Sequence, residues 1–199
     1  MRPARLEAFA DGVFAIAATL LILNVDAQVT DGNVGDNLLH IWPSYLAYAV
    51  SFVTIGIMWV NHHTCFRQIA AVDRTFLFLN LALLMCIAFV PFPTRVVAEH
   101  LRDDGARAAA LLYGVTLTTT AVCFGLMWFY AARGRRLIAP DADQRTVSGL
   151  SRSYLPGAPI YGASTLVALA SPTAAVVLFA AIALFFALES SLFGQREPT

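Results

Sequence analysis

The stretch from Ala8 to Val25 has the sequence AFADGVFAIAATLLILNV. Asp11 is its only charged residue, and its length is close to the roughly 20 helical residues that cross a hydrocarbon core of about 30 Å. Further apolar runs follow at about 41–61, 75–97, 108–131, 153–170 and 172–193. The sequence therefore predicts an all-α, polytopic membrane protein with six transmembrane helices, the first at about 8–25.

The composition of the whole chain favours the same class. Of 199 residues, 58% are hydrophobic and 13% are charged, whereas soluble domains are about half apolar and about a quarter charged. The net charge is zero, which gives no support for a nucleic-acid partner. Because the longest polar stretch runs only from Arg133 to Arg152, we expect residues 1–199 to form a single transmembrane domain.

The arginines predict the orientation of the helices. If the N-terminus is cytoplasmic, ten arginines lie on the cytoplasmic side, and only Arg95, Arg102 and Arg107 lie outside. Cytoplasmic loops are typically the basic ones, so we expect a protein of the cell membrane with both termini in the cytoplasm. The alternative, a cleaved signal peptide at the N-terminus, is disfavoured because Asp11-Gly12 interrupts the first apolar run.

The first helix has a side made of large apolar residues. Their spacing of three and four residues puts them on one stripe, with Thr19 at its edge: Phe9, Val13, Ile16, Leu20 and Leu23. Alanines flank the stripe, and small residues let transmembrane helices approach closely. The pattern alone permits a ridge facing lipid, part of the bundle core, or a hydrophobic constriction around the axis of an oligomer.

Asp11 requires a partner, because a carboxylate inside a membrane segment is costly. Arg5 lies about 120° away round the helix, so it is a poor candidate. On the second helix, Trp59, His62 and His63 share a face. Since consecutive helices run in opposite directions, we expect this face to lie at the depth of Asp11.

Asn80 and Glu189 are predicted at the same depth as these groups. Such a polar layer is compatible with a structural hydrogen-bond network, a proton-sensing network or a metal site. No metal is predicted, because adjacent histidines do not form the i, i+4 pair of a helical metal site. The three cysteines, which show no pair spacing, are expected to be reduced and buried: Cys65, Cys86 and Cys123.

The motif Arg5-x-x-x-Phe9-Ala10-Asp11-Gly12 resembles the Arg-x-x-x-Phe-Ser-Asp signature of the transmembrane protein 175 family, the endosomal and lysosomal potassium channels, in its bacterial branch. Ala10 replaces the usual serine. Three further motifs resemble the second and third helices of that family: Trp59-x-x-His62-His63-x-x-Phe66, Asn80 and Pro91-Phe92-Pro93-Thr94. The resemblance covers the first half of the chain well and the second half mainly in helix number.

The resemblance implies a potassium-preferring cation channel that conducts passively. It implies a homotetramer whose first helices line the pore at the symmetry axis, with rings of Ile16, Leu20 and Leu23 as the hydrophobic constriction and Thr19 as the adjacent hydroxyl. The polar layer is then a structural network: Arg5, Asp11, Trp59, His62, His63 and Asn80. The expected partners are potassium ions, the lipid bilayer and further copies of the chain, with no cofactor.

Two other classes of function remain as alternatives. The first is a proton-coupled secondary transporter that uses Asp11, His62 and Glu189 as a relay. The second is a membrane-embedded enzyme with a histidine-based metal centre. We do not expect an enzyme, because the sequence shows no nucleophile motif, no glycine-rich phosphate loop and no full set of metal ligands.

Overall fold

A computed structural model of the chain describes residues 3–25 and 34–193, and its regular elements are helices. In chain order they are α1 Pro3–Leu20, α2 Val34–His40, α3 Trp42–Phe66, α4 Arg74–Phe89, α5 Pro91–His100, α6 Ala106–Ala132, α7 Gln144–Tyr154, α8 Gly157–Val167 and α9 Pro172–Phe193. A short 3₁₀ segment, Leu21–Asn24, continues α1, and another, Arg133–Arg135, follows α6. The all-α class is therefore confirmed for the described residues.

Within the described part of the chain, four helical stretches are long and apolar enough to cross a membrane: Pro3–Asn24, Trp42–Phe66, Arg74–His100 and Ala106–Arg135. The last helix adds a shorter apolar stretch, Pro172–Ala187. The four long stretches correspond to the first four predicted segments, and the shorter one lies within the sixth. The prediction that the chain crosses the membrane six times stays a prediction.

The third predicted segment, 75–97, is divided between two helices. α4 ends at Phe89 and α5 begins at Pro91. Pro91 and Pro93 have no backbone N–H, so neither can donate a hydrogen bond to the preceding turn. The α-helical hydrogen-bond pattern is therefore interrupted at Val90, whose N–H bonds to the carbonyl of Ile87, three residues earlier, at 3.1 Å, while its backbone keeps right-handed helical dihedral angles.

The fifth predicted segment, at about 153–170, covers the end of one helix and the whole of the next. Its first two residues belong to α7, a polar helix that begins where the Asp143 side chain accepts a hydrogen bond from the N–H of Thr146 at 3.1 Å. Pro156 separates α7 from α8, so the apolar helix starts only at Gly157 and ends at Val167. The sequence pattern missed α7 because it is short and contains few apolar residues.

α1 packs against α3 and α4, and α6 packs against α4 and α8. The residues of α1 that enter this core are at most 3% exposed and are spaced by three or four positions: Leu6, Ala10, Phe14, Ala17 and, in the 3₁₀ segment, Leu21. A second cluster of buried side chains joins α6 to α8 and α9. One side of α1 is therefore fixed within the protomer.

Asp73, in the loop between α3 and α4, binds side chains at and just after the end of α6. Its carboxylate accepts a hydrogen bond from the N–H of Phe76 at 2.9 Å and one from the Tyr130 hydroxyl at 2.7 Å. Arg136 approaches the same carboxylate to 3.3 Å. The hydrogen bonds from Phe76 and Tyr130, together with the positive charge of Arg136, lower the pKa of Asp73 below its ordinary value.

At Gly114, α6 packs tightly against Thr165 of α8 and Phe179 of α9. A methyl group there would lie 2.5 Å from Thr165 Oγ1 and 2.8 Å from the ring of Phe179. We expect Gly114→Ala to lower the free energy of unfolding by about 1–3 kcal/mol, because these side chains must move apart. Thermal unfolding of the purified protein in detergent measures this change.

The control for this variant is Gly125→Ala on the same helix. There a methyl group would meet nothing nearer than the Phe129 ring at 3.9 Å. Because alanine is the better helix former, we expect Gly125→Ala to be neutral or stabilising by up to about 1 kcal/mol. Equal destabilisation by both variants would contradict a specific close approach at Gly114.

Candidate pore helix and its polar contacts

The predicted stripe of α1 is exposed on the protomer. The side chains of Ile16, Leu20 and Leu23 are 60%, 42% and 70% exposed. Phe9 is also exposed, and Val13 is half-buried. The stripe is therefore not part of the protomer core, which excludes one of the three interpretations of the pattern and leaves contact with lipid or with other copies of the chain.

The 3₁₀ segment after α1 changes the direction of the last stripe residue. A 3₁₀ helix has three residues per turn, so side chains three positions apart lie above one another. Leu23 consequently lies almost in line with Leu20, whereas a continued α-helix would rotate it by about 60°. The angle between the directions of Leu20 and Leu23 round the helix is therefore smaller than it would be in an α-helix.

Thr19 offers an oxygen on the exposed side of α1. Its hydroxyl lies 3.0 Å from the carbonyl of Ala15 and 3.0 Å from that of Ile16, and it donates its hydrogen to these acceptors. A hydroxyl whose only hydrogen is committed in this way can still accept through its lone pairs. Thr19 therefore presents an acceptor beside the stripe.

The polar side chains predicted at one depth form hydrogen-bonded pairs, and the two members of each pair belong to different helices. The indole Nε1 of Trp59 donates to Asp11 Oδ1 at 2.9 Å, which joins α3 to α1. The imidazole Nε2 of His62 lies 2.9 Å from Asn80 Oδ1, which joins α3 to α4. The expectation that Asp11 finds its partner on another helix is confirmed.

His62 and Asn80 form the most deeply buried of these pairs, since both are fully buried. Because the facing Asn80 oxygen can only accept, His62 Nε2 carries the hydrogen. The ring of His62 also stacks on Phe66, with centroids 4.3 Å apart, and meets Phe14 edge-on at 5.3 Å. The pair therefore holds α3 and α4 together beneath the buried side of α1.

His63 and Arg5 do not join this buried pair. His63 is exposed, and its Nδ1 lies 2.9 Å from Glu7 Oε1. The side chain of Arg5 is exposed and makes no hydrogen bond or ion pair with any residue in 3–25 or 34–193. The side chain of Glu189 lies outside the described residues. The polar layer therefore consists of separate pairs, and the functional roles assigned to its members stay predictions.

Sequence reasoning missed two residues of this region. Glu7 lies one helical turn before Asp11, so the i, i+4 spacing indicates that it faces α3 as well. Asn24, at the end of the 3₁₀ segment, donates from Nδ2 to the carbonyl of Pro91 at 2.8 Å. No sequence pattern links these two positions, which are 67 residues apart.

The cysteines differ from the expectation of three buried thiols. Cys65 is buried, but Cys86 on α4 and Cys123 on α6 are only partly buried. The Sγ atoms of these two residues lie 4.0 Å apart, and all three thiols are free. Their separation in sequence gave no sign of this contact, which depends on the packing of α4 against α6.

Comparison with known proteins supports the family resemblance. The sequence model of a family described as "Endosomal/lysosomal potassium channel TMEM175" matches residues 5–91, which include α1, α3 and α4. A potassium channel of Chamaesiphon minutus is 40% identical over 191 residues, or 94% of each chain. A potassium channel of Streptomyces collinus is 49% identical over 144 residues, covering 70% of this chain and 69% of the relative.

The fold agrees with a solved structure. The crystal structure of a lysosomal potassium-selective channel TMEM175 homolog from Chamaesiphon minutus matches with a TM-score of 0.86 and 38% identity. The match covers 94% of this chain and 97% of that one. A relative of this identity and coverage establishes membership in a family of ion channels rather than of enzymes. The chain belongs to the TMEM175 family.

Proposed function

We propose that this chain is a potassium-preferring cation channel that assembles as a homotetramer, with α1 around the pore. The observation that carries the proposal is the exposed aliphatic stripe of Ile16, Leu20 and Leu23 on a helix whose other side is buried. Relatives that are named potassium channels support the choice of ion. In this arrangement each stripe residue contributes one quarter of a ring.

An aliphatic ring controls conduction through water. The aliphatic side chains offer a cation no ligand that could replace the water of its hydration shell. In a narrow pore such a ring also stops conduction when water leaves it, which is called dewetting. Potassium holds its hydration shell less tightly than sodium, so a narrow apolar ring costs potassium less. The free lone pairs of Thr19 replace part of the lost hydration next to the ring of Ile16.

We place the channel in the cell membrane with both termini in the cytoplasm. The arginine-rich turn after α6 and Arg145 and Arg152 on α7 then lie on the cytoplasmic side. In this topology the fifth and sixth crossings fall on the stretches that contain α8 and α9, and α8 with its 11 residues needs its flanking turns to approach the roughly 20 residues of a crossing. The proposed channel needs no cofactor, because the permeant ion itself is its only small ligand.

The alternative is a proton-coupled transporter that uses Asp11, His62 and Glu189 as a relay. Asp11 and His62 have separate partners, Trp59 and Asn80, each at 2.9 Å. Side chains engaged in this way stabilise helix packing, whereas a relay requires them to exchange protons with one another. The channel is therefore the better-supported function.

Recording in a planar bilayer distinguishes these functions. With purified protein at the same pH on both sides, a potassium gradient alone is expected to drive unitary currents. Under opposed potassium and sodium gradients, the reversal potential is expected to lie nearer the potassium equilibrium potential. Flux that requires a proton gradient would indicate the transporter, and well-assembled protein without current would refute the channel.

Cross-linking tests the position of α1. In a background lacking Cys65, Cys86 and Cys123, we expect Leu23→Cys to form disulfide-linked dimers between subunits under mild oxidation. The native thiols must be removed because Cys86 and Cys123 lie only 4.0 Å apart and compete for the oxidant. Dimers on a non-reducing gel measure the result.

Leu166→Cys, on α8, is the matched control. Leu166 is 66% exposed, close to the 70% of Leu23, but it lies on a different helix. We expect no linked dimers from this variant, because α8 lies away from the proposed axis. A monomer that still conducts, or equal cross-linking at both positions, would show that α1 does not surround the pore.

A further inference from the structure

The side chain of Asn24, at the end of the 3₁₀ segment after α1, hydrogen-bonds to the start of α5. Asn24 Nδ2 donates to the carbonyl oxygen of Pro91 at 2.8 Å. The donor belongs to the residue directly after Leu23, the most exposed residue of the stripe. The acceptor is the first residue of α5. This hydrogen bond therefore joins the end of the helix that carries the proposed ring of Leu23 to a neighbouring helix.

The acceptor side of this bond is held in place. Thr94, in the first turn of α5, donates to the carbonyl of Val90 at 2.9 Å and contacts the hydroxyl of Ser51 on α3 at 2.9 Å. Ser51 also lies 3.0 Å from the hydroxyl of Tyr113 on α6. These side chains are buried. The start of α5 is thus fixed to α3 and α6, and the carbonyl of Pro91 is a rigid anchor.

The donor side needs an anchor. A 3₁₀ segment has poorer hydrogen-bond geometry than an α-helix, and the segment Leu21–Asn24 ends with one backbone bond, from Val25 N–H to the carbonyl of Ile22 at 3.0 Å. Leu21 is fully buried and Leu23 is 70% exposed. The turn must therefore hold one leucine in the core while it points the other outward.

We infer that Asn24 is a positioning residue that sets the direction of Leu23 in the pore. Its amide hydrogen bond to Pro91 holds the 3₁₀ turn, and the turn keeps Leu23 in line with Leu20. Without this bond the segment relaxes towards α-helical geometry, which rotates Leu23 by about 60°. This inference rests on the proposed function, in which Leu23 faces the ion path.

Two variants remove the donor. Asn24→Asp keeps the shape of the side chain but cannot donate, and Asn24→Ala removes the group without adding charge. Both are expected to assemble as tetramers and to lower the potassium-to-sodium permeability ratio, because losing one hydrogen bond shifts the equilibrium of the turn away from the 3₁₀ form by about fivefold. Bilayer recordings give the ratio from reversal potentials, and size exclusion gives the tetramer yield.

A double-variant comparison separates positioning from general stabilisation. If Asn24 acts through Leu23, then Asn24→Ala should change the permeability ratio in the native sequence but not further in a Leu23→Ala background. An equal change in both backgrounds would overturn the inference, because Asn24 would then act elsewhere. Loss of the tetramer in both Asn24→Asp and Asn24→Ala would also overturn it, since Asn24 would be required for folding.

The wild-type recording keeps this inference distinct from the proposed function. Absence of potassium current in well-assembled wild-type protein would refute the channel itself. Wild-type potassium current, together with an unchanged permeability ratio in Asn24→Asp and Asn24→Ala, would refute only the role of Asn24.

Discussion

Ile16→Asn is expected to raise the unitary conductance and to reduce the preference for potassium over sodium. In the proposed tetramer this change replaces an apolar ring with amides that hold water at the constriction, so the dehydration barrier falls. A barrier lower by about 1.4 kcal/mol raises the conductance about tenfold. Sodium gains more than potassium, because its tighter hydration made the apolar ring costlier to pass.

Ile22→Asn is the matched control for this experiment. Ile22 is 51% exposed, close to the 60% of Ile16, but it faces a different direction round the helix. We expect it to reduce the yield of folded protein without raising the current. Leu23→Asn should act in the same direction as Ile16→Asn. Unchanged conductance in well-assembled Ile16→Asn protein would show that the stripe faces lipid and that ions pass elsewhere.

His62→Ala is expected to reduce tetramer yield strongly, while any assembled channels keep their ion preference. The change removes the ring that stacks on Phe66 and leaves the fully buried Asn80 without its partner. The unpaired amide and the cavity together should cost about 2–4 kcal/mol. Size exclusion measures the yield, and reversal potentials measure the preference. Asp11→Ala, which frees the indole of Trp59, should act in the same way.

His63→Ala is the control on the neighbouring histidine. The His63 side chain is 50% exposed and contacts Glu7 at the surface. Exposed pairs of this kind contribute up to about 1 kcal/mol, so yield and ion preference should both stay near wild type. Normal yield of His62→Ala with loss of potassium preference would place His62 in the ion path and contradict the structural role.

Local sequence patterns predicted the parts of the fold that depend on spacing along one helix. The period of α1 grouped the large apolar side chains of the stripe on one side of the helix, but it left open whether that side is buried or exposed, which the structure shows. The helical spacing of Trp59 and His62, with opposite directions of consecutive helices, correctly placed these side chains near Asp11 and Asn80. Such predictions succeed because the side chains of a helix follow from its period.

Features that depend on how the helices pack were not predictable. The polar helix α7 lacks the apolar run that marks a membrane helix, so the hydropathy pattern did not predict it. The contacts between Asn24 and Pro91 and between Cys86 and Cys123 join distant parts of the chain. They follow from the break after α4 and from the packing of α4 on α6, which hydropathy does not encode.

The pairing of Asp11 and His62 within one protomer has a consequence for biogenesis. Because Trp59 pairs with Asp11 and Asn80 pairs with His62 in the same chain, a newly inserted subunit forms these two hydrogen bonds before it meets another copy, while His62 Nδ1 and Asn80 Nδ2 stay buried without a partner among the described residues. In the proposed tetramer, the surface left for the other subunits is the aliphatic stripe of α1, which lipid tails solvate without penalty. A folded monomer can therefore persist in the bilayer before assembly. The number of channels would then depend on the concentration of the chain in the membrane rather than on its folding.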